Sequence, residues 1–288
     1  ITTTGDHNMI TLKEGTVTNT KSSEIKSGEY VPLPRFVEST SQSPQFLNLL
    51  EILKDAKGIY ILNGNELIRK NYQILNNNGI DAIFDRYLYK YRDGRPVPIK
   101  YFLKILELLN IDPSDLILNE LRIASRLKNN SLPILYPVSE PLLKILGYIV
   151  SEGTITKDSV IISNLDSEVI ADVESSLRSI GSVYYLTGQA VIIAHRPFVE
   201  LVKALGGKKK SANKDVLPFI FNSNIGNISG YLRAYFEGDG GVEHASVTAV
   251  SKSKNLISNL NYLLYYFGII GRMSETRKAA QGWNRKKS

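Results

Sequence analysis

The sequence predicts an α+β fold with internal pseudo-symmetry in residues 138–275. Two apolar stretches of helical character, residues 145–153 and 232–240, align without gaps and carry small residues at matching positions. Each stretch is followed by strand-like segments, a further amphipathic helix and a glycine-marked strand start. The same order of helices and strands therefore occurs twice, which is typical of an internal duplication.

The small residues lie four positions apart in both stretches: Gly147 and Ser151 in the first, Ala234 and Gly238 in the second. Residues i and i+4 lie on one face of a helix, and small side chains there allow a partner backbone to come close. We therefore expect the two helices to pack through these faces and to end side by side.

Both helices end in an acidic residue followed by glycine, Glu152-Gly153 and Asp239-Gly240. We expect each glycine to adopt the left-handed conformation that closes many helices. An acidic residue at a helix C-terminus is unfavourable by a few tenths to about 1 kcal/mol, so its occurrence at both ends suggests a function. The alternative is that each motif is simply a capped core helix.

If the helices pack in this way, Glu152 and Asp239 meet at a site rich in helix-terminal carbonyl oxygens. Such ligands suit a hard cation, Mg²⁺ or Mn²⁺, held by the two carboxylates and by the main chain of Gly153 and Gly240. Adjacent metal ions of this kind assist phosphodiester hydrolysis. Glu237 lies on a different helix face, and we do not expect it to be a third ligand.

The paired stretches resemble the two motifs of a LAGLIDADG endonuclease, specifically the two-motif kind carried inside inteins. The resemblance covers residues 140–274 and implies two αββαββα repeats that form a DNA-binding saddle. It also implies a monomer that acts as its own pseudo-dimer and cleaves both strands of a long, specific site in double-stranded DNA. The chain departs from the family in having Glu152 as its first acid and in lacking the last strand of the second repeat.

The order of elements that carries this resemblance can be assigned segment by segment. In the first repeat we expect strands at 160–164, 183–186 and 190–194 and a helix at 166–179. In the second repeat we expect strand structure at 242–251 and 269–273 and a helix at 254–267.

Residues 214–221, Lys-Asp-Val-Leu-Pro-Phe-Ile-Phe, resemble a family segment in which a lysine shortly precedes a proline and aromatic residues. The resemblance implies that Lys214 lies near the metal site and assists the attacking water or stabilises transition-state charge. The alternative is an ordinary surface lysine.

Residues 1–37 are predicted to form β structure with turns. The opening Thr4-Gly5-Asp6-His7, followed by residues 22–31, resembles a conserved block of an intein splicing domain, which implies that Thr4 and His7 assist the first acyl shift. The alternative is a turn with a hydrogen-bonded histidine. Splicing requires an N-terminal Cys or Ser and a terminal His-Asn pair. The chain begins with Ile1, contains no cysteine and ends in Ser288, so as written it cannot splice, and we expect either an incomplete intein or a splicing domain that has decayed.

Residues 45–130 are predicted to be helical, with one helix near 82–91, another at 99–109 and a third at 114–128. The first two resemble the helix-turn-helix of repressor-like proteins, in which a basic, aromatic helix enters the major groove. By this analogy the residues that contact bases or phosphates are Arg86, Tyr89, Lys90 and Arg92. The alternative is an ordinary helical spacer with a charged outer face.

Further basic residues are expected to contact DNA phosphates, either in a loop between the repeats or beside strands of the second repeat. These residues are Lys208, Lys209, Lys210, Lys252, Lys254 and Arg272. Residues 276–288 form a basic tail.

Bulk composition is consistent with this view. The net charge of +7 favours an acidic partner such as nucleic acid, and the absence of cysteine excludes disulfides, zinc–thiolate sites and cysteine nucleophiles. No stretch is long and apolar enough to span a membrane, and no signal-peptide pattern opens the chain. We therefore expect a cytoplasmic, nucleoid-associated protein of a prokaryote or archaeon.

Two other functions remain open at this point. The first is a DNA-binding regulator that no longer cleaves, which would bind a specific site without metal-dependent cleavage. The second is a protein-splicing element, which would release a ligated product when its flanking sequences are supplied.

Overall fold

A computed structural model describes residues 3–33, 37, 45–78, 88–113, 116, 120–126, 130–207, 211–243 and 245–276. The chain divides into two compact units. The first comprises Ile1–Glu38 and Leu264–Arg272, and the second comprises Ser39–Leu263 and Met273–Ser288. Within the described ranges, no helix combines the length and the apolar character that crossing a membrane requires.

The first unit contains an antiparallel hairpin of β1 (Asn8–Lys13) and β2 (Thr16–Lys21), followed by a 3-10 turn at Ser22–Glu24. Glu14 and Gly15 connect the strands with φ angles of 49° and 77°, the left-handed pair that a tight hairpin requires. This agrees with the β structure predicted for residues 1–37.

The second unit begins with a region that mixes short helices and strands. Its helices are α1 (Leu49–Ile52), α2 (Asn65–Lys70), α3 (Tyr72–Asn77), α4 (Leu88–Arg92) and α5 (Ile99–Leu108). Its strands are β3 (Phe46–Asn48), β4 (Ile59–Leu62), β5 (Val97–Pro98), β6 (Arg122–Ser125), β7 (Leu132–Pro133) and β8 (Leu135–Pro137).

The prediction that residues 45–130 are wholly helical is wrong. Strands β5, β4, β6 and β7 form an antiparallel sheet in that order, and β3 pairs with β8. The expected helix at 114–128 is also wrong, because Arg122–Ser125 pairs with β4 through Ile61 and Ile123. Both isoleucines are fully buried. Such short apolar runs fit either a helix or a strand, and pairing with a distant segment decides between them.

The first repeat has the element order expected from the sequence. Its helices are α6 (Glu140–Glu152) and α7 (Ser167–Ser179), and its strands are β9 (Gly153–Ile155), β10 (Val160–Ser163), β11 (Tyr184–Thr187) and β12 (Ala190–Ile193). The strands form one antiparallel sheet in the order β11-β12-β10-β9. The repeat is followed by α8 (Arg196–Val202) and a π-helical turn at Lys203–Gly207.

The second repeat follows a 3-10 turn at Ser211–Asn213 and consists of α9 (Pro218–Phe221), α10 (Ile225–Asp239), β13 (Gly240–Glu243), β14 (Ser246–Ala249) and α11 (Lys254–Tyr265). The expected strand at 269–273 is wrong, because the described residues there have no regular secondary structure. Among the residues that the structure describes, β14 therefore pairs with β13 alone.

The two repeats correspond at one constant offset over the motif helix, the hairpin that follows it and the next helix. Glu152 at the end of α6 corresponds to Asp239 at the end of α10, and Ser167 at the start of α7 corresponds to Lys254 at the start of α11. Strand register is also the same, since Ile155 pairs with Val160 and their counterparts Val242 and Val247 pair with each other. The order helix, hairpin, helix that the motifs predicted thus occurs twice in the described residues.

Helices α6 and α10 pack through the predicted small residues. A Cβ atom added to Gly147 would lie 2.6 Å from the carbonyl oxygen of Tyr231 and 2.9 Å from the Cβ of Ala234. A Cβ atom added to Gly238 would lie 2.7 Å from the Cβ of Ser151. These separations are shorter than van der Waals contact, so only glycine fits at either position.

We predict that Gly147→Ala lowers the free energy of unfolding by about 1 to 3 kcal/mol, the usual scale for overpacking a close contact. The added methyl group must move the backbone of α10 near Tyr231, and the gain in helix propensity is smaller than that strain. Equilibrium urea denaturation measures the change.

Gly226→Ala is the matched control for this substitution. Gly226 is exposed in the first turn of α10, where an added Cβ would lie 3.4 Å from the side-chain oxygen of Asn224. We expect this variant to be as stable as the wild type or slightly more stable. Equal effects of the two variants would show that the contact at Gly147 does not hold the helices together.

Candidate active site

The packing of α6 against α10 brings the two predicted acidic residues to neighbouring helix ends. A Cβ atom added to Gly238 would lie 3.0 Å from the Cγ of Glu152, so the backbone just before Asp239 borders the Glu152 side chain. The two carboxyl groups also interact electrostatically, because the charge of Asp239 raises the pKa of Glu152.

The glycines that follow the acids do not have the conformation predicted for them. Gly153 has φ and ψ of −80° and 135°, and Gly240 has −85° and 159°, so both are extended rather than left-handed. Glycine is needed for a different reason. A Cβ atom added to Gly153 would lie 2.6 Å from the Cα of Ile149, and one added to Gly240 would lie 3.0 Å from the Cα of Phe236. At both positions the backbone turns sharply from the helix directly into a strand.

Burial is the main electrostatic influence on both acids. It raises the pKa of Glu152, with a further contribution from Asp239, while the positive charge of Lys214 opposes the shift. Burial also raises the pKa of Asp239, although this residue keeps substantial solvent exposure, and Lys214 again opposes the shift. Negative charge at these helix ends is therefore unfavourable unless a cation compensates it.

The positive charge of Lys214 acts on both carboxylates and opposes the rise of their pKa values. Its Nζ donates a hydrogen bond to the carbonyl oxygen of Val150 in α6 at 2.5 Å. Its own carbonyl oxygen accepts a hydrogen bond from Ser253 at 2.6 Å, and the Ser253 hydroxyl also accepts one from the amide of Leu256 in the first turn of α11. Contacts with both repeats hold this lysine in place, so it is not a freely solvated surface residue.

Asn164 is a neighbour of the site that sequence reasoning missed. Asn164 directly follows β10, and its side-chain amide donates a hydrogen bond of 3.4 Å to Glu152 Oε1. The residue follows a strand in the first repeat, and nothing in its type distinguished it from a turn asparagine. Its counterpart in the second repeat is Ser251, so the two acids have different polar neighbours.

Glu237 is paired with groups other than the two acids. Its Oε2 lies 2.6 Å from the hydroxyl of Tyr148, and its Oε1 accepts from Arg233 at 2.9 Å. The Tyr148 hydroxyl also lies 2.9 Å from Asp172 Oδ2. Glu237 therefore links α10 to α6, and Tyr148 extends this link to Asp172 in α7.

The residues present fit a hard divalent cation. Glu152 and Asp239 supply two carboxylates whose pKa values are raised by burial. Gly153 and Gly240 begin strands β9 and β13, and the ligand role of their carbonyl oxygens stays a prediction. No group of three or more acidic or histidine side chains in the described ranges is arranged to hold a metal ion. A site with two carboxylates suits Mg²⁺, which usually keeps several waters and takes further oxygens from substrate phosphates.

The predicted DNA-contacting residues are only partly within the described structure. Tyr89 is exposed, Lys90 lies 5.5 Å from its ring centroid, and Arg92 stacks 4.7 Å from the ring of Tyr72 while pairing with Asp93 at 2.8 Å. Three other predicted contacts are exposed to solvent, namely Lys252, Lys254 and Arg272. Arg86, Lys208, Lys209, Lys210 and tail residues 277–288 lie outside the described residues.

Thr4 and His7 lie in the turn that precedes β1. The amide of His7 donates to the carbonyl oxygen of Thr4 at 3.2 Å, and both side chains are exposed. This geometry is that of a hydrogen-bonded turn, and the splicing role stays a prediction.

We predict that Glu152→Gln and Asp239→Asn each stabilise the protein near neutral pH in the absence of divalent cations. The folded state raises both pKa values above 4.5 and 3.8, so these groups favour folding while protonated and lose that contribution as pH rises through the raised values. Removing an acid from a helix C-terminus is expected to gain about 0.5 to 1 kcal/mol.

Urea denaturation between pH 4 and 8 tests this expectation, and each variant should show a weaker loss of stability with rising pH. Glu168→Gln is the control, because Glu168 lies in the first turn of α7, where an acid is favourable. We expect that variant to be destabilised. A destabilised Asp239→Asn variant would contradict the electrostatic account.

Comparison with known proteins gives one family match and several distant relatives. Residues 227–285 match the family model of the LAGLIDADG-like domain. The chain is 25% identical over 166 residues to DNA-directed RNA polymerase subunit Rpo1C of Methanocaldococcus jannaschii, covering 54% of this chain and 19% of that protein.

Two proteins of Thermococcus kodakarensis are also similar. DNA polymerase II large subunit is 25% identical over 297 residues, covering 97% of this chain and 16% of that protein. DNA polymerase is 32% identical over 147 residues, covering 45% of this chain and 8% of that protein. The chain thus spans less than a fifth of the length of any of these three relatives. The family match contains Asp239 and all but the first two residues of its helix, so the second motif lies in a LAGLIDADG-like domain, a type found generally in DNA-binding nucleases.

Proposed function

We propose that this chain is a site-specific double-strand DNA endonuclease of the intein-encoded homing type. The observation that carries the proposal is the convergence of Glu152 and Asp239 at two packed helix ends, with Lys214 beside both. The LAGLIDADG-like match at residues 227–285 supports the same conclusion independently of the geometry.

The acid pair is the part of the site that would hold a divalent cation, Mg²⁺ or Mn²⁺. The ion would be held by the carboxylates of Glu152 and Asp239 and by the carbonyl oxygens of Gly153 and Gly240. A bound divalent cation supplies a Lewis acid that makes water more acidic and neutralises phosphate charge. The raised pKa values of the acids indicate that both carboxylates are best ionised when positive charge is close to them.

Each side chain of the site has a role in the proposed phosphodiester hydrolysis. Glu152 and Asp239 orient the attacking water and the scissile phosphates around the shared helix ends. Lys214 presents an ammonium group, held by Val150, that stabilises negative charge developing on the phosphate oxygens. Asn164 restrains the Glu152 carboxylate through its side-chain amide.

The duplicated architecture supports the cleavage of both strands by one monomer. Each repeat provides one acid at the same point of its helix, so one chain can act as a pseudo-dimer on two phosphodiester bonds. The strands that follow each acid would form the saddle surface along a long recognition site, since a two-stranded ribbon fits the major groove. Lys252, in the connection between β14 and α11, and Lys254, the first residue of α11, are exposed and can contact phosphates.

The range of relatives supports the intein part of the proposal. An RNA polymerase subunit and two DNA polymerase proteins perform different reactions, yet each matches this chain over a small part of its length. A mobile element inserted into unlike hosts would give this distribution. The β structure that contains Thr4 and His7 would then belong to a splicing domain, and the protein would act in the cytoplasm near chromosomal DNA.

We predict that the protein converts supercoiled plasmid bearing its site to linear product in the presence of Mg²⁺, and that EDTA abolishes the reaction. Glu152→Gln and Asp239→Asn should each lower the rate of linear product formation by at least about a hundredfold, because each removes a charge that acts on the transition state. Lys214→Met should lower it by about tenfold to a hundredfold. A plasmid library of candidate sites supplies the substrate.

Glu140→Gln, at the opposite end of α6, is the control and should cleave at the wild-type rate. Binding of each variant to the selected site is measured in parallel by titration of labelled duplex in Ca²⁺. Loss of cleavage with retained binding supports the proposal. Tight, specific binding by the wild type without cleavage at any divalent cation would instead identify a DNA-binding regulator.

A further inference from the structure

The two motif helices carry tyrosines at corresponding positions. Tyr148 lies one helical turn before Glu152, and Tyr235 lies one turn before Asp239. Both tyrosines are fully buried. A buried phenol needs a hydrogen-bond partner for its hydroxyl, because the interior offers no bulk water to replace one.

In the first repeat, side chains satisfy this requirement. The Tyr148 hydroxyl lies 2.6 Å from Glu237 Oε2 and 2.9 Å from Asp172 Oδ2. Lys144 pairs with Asp172 at 2.8 Å, and Arg233 pairs with Glu237 at 2.9 Å. Each charged group in this network faces one of opposite sign.

In the second repeat, the corresponding positions hold different residues. Tyr231 replaces Lys144, and Asn259 replaces Asp172. Among the residues that the structure describes, neither the hydroxyl of Tyr231 nor that of Tyr235 has a hydrogen-bond partner, although both oxygen atoms are buried.

The missing acceptor has a simple origin in the sequence. The counterpart of Glu237 is Val150, which has no polar side-chain atom to offer Tyr235. The side chain of Asn259 is directed to another group, because its amide donates to Asp215 Oδ1 at 2.7 Å. The amide of Val216 donates to the same oxygen at 2.8 Å, so neither of these bonds uses Oδ2.

Asp215 is joined to the tyrosine pair through Asn259, since Asn259 donates to Asp215 and is the counterpart of the Asp172 that contacts Tyr148. Burial raises the pKa of Tyr231, and the charges of Tyr235 and Asp215 raise it further. Tyr231 and Tyr235 lie one turn apart on the same face of α10, so their hydroxyls occupy one neighbourhood. Two buried hydroxyls without a described partner and one half-buried carboxylate therefore lie in one neighbourhood.

We propose that Tyr231, Tyr235 and Asp215 enclose a buried water-binding site that positions Asp239 and Lys214. A buried water typically makes about three hydrogen bonds to groups that would otherwise be unsatisfied, and two phenols and a carboxylate supply three partners. Tyr235 lies one turn before Asp239, and Asp215 directly follows Lys214. The water therefore links the helix that carries one functional group to the segment that carries the other.

The first test measures thermal unfolding and is independent of the proposed nuclease activity. Tyr231→Phe and Tyr235→Phe should each lower the unfolding midpoint by about 2 to 4 °C, because each removes one bond to the water. The double variant should lower it by less than the sum of the two, since both bonds depend on one water. Tyr148→Phe removes a hydroxyl that has side-chain partners, and its decrease in unfolding midpoint serves as the reference for the other two variants.

Other outcomes of this measurement overturn the water site. If the hydroxyls are dry, replacing either tyrosine with phenylalanine removes an unsatisfied polar atom and leaves the midpoint unchanged or raises it. Fully additive losses would show that no single molecule joins the two phenols.

The second test addresses positioning and rests on the proposed function. Tyr235→Phe should lower the single-turnover cleavage rate constant by about tenfold, as loss of a supporting contact behind a ligand usually does, with an unchanged dissociation constant for DNA. Tyr136→Phe is the control, because Tyr136 is a buried tyrosine whose hydroxyl lies 3.4 Å from the carbonyl oxygen of Ile180.

The two tests separate the possible failures. A wild-type cleavage rate for Tyr235→Phe overturns the positioning role, whereas a lower rate together with weaker DNA binding indicates a general structural loss and also overturns it. If the wild type cleaves no DNA, the proposed function fails, and the thermal measurements still decide whether the water site exists.

Discussion

The backbone contact between α6 and α10 is the constraint on which the candidate site depends. Gly147 and Gly238 allow the helix axes to approach so closely that an added methyl group at either position would overlap the partner helix. Each glycine weakens its own helix by about 1 kcal/mol relative to alanine, so the close contact is obtained at a cost in local stability. The contact places the ends of both helices, and therefore both acids, side by side.

This arrangement concentrates unfavourable charge at one place. Two carboxylates share a region that already contains the partial negative charges of two helix C-termini, and burial makes ionisation of both harder. Lys214 compensates part of that charge from a segment held by hydrogen bonds to Val150 and Ser253. Stability given up at a site in this way is typical of groups retained for chemistry rather than for folding.

The sequence was a good guide where a pattern repeats and a poor guide where distant pairing decides. Small residues four apart, followed by an acid, predicted the packed helices and the meeting of Glu152 with Asp239, because helical periodicity is a local property. Residues 59–62 and 122–125 were misassigned because four apolar or mixed residues fit a helix as well as a strand. The role of Tyr148 depends on contacts with Asp172 and Glu237, which lie far away in sequence, and the contact of Asn164 with Glu152 depends on how strand β10 packs beside the end of α6.

The constant offset between the repeats has a consequence for any ligand that contacts both of them. In a homodimer, one substitution changes both halves at once, and the binding surface stays two-fold symmetric. Here the halves belong to one polypeptide and have already diverged, with Asn164 opposite Ser251 and Lys144 opposite Tyr231. Each half can therefore adapt to its own part of the ligand, and the ligand itself need not be palindromic.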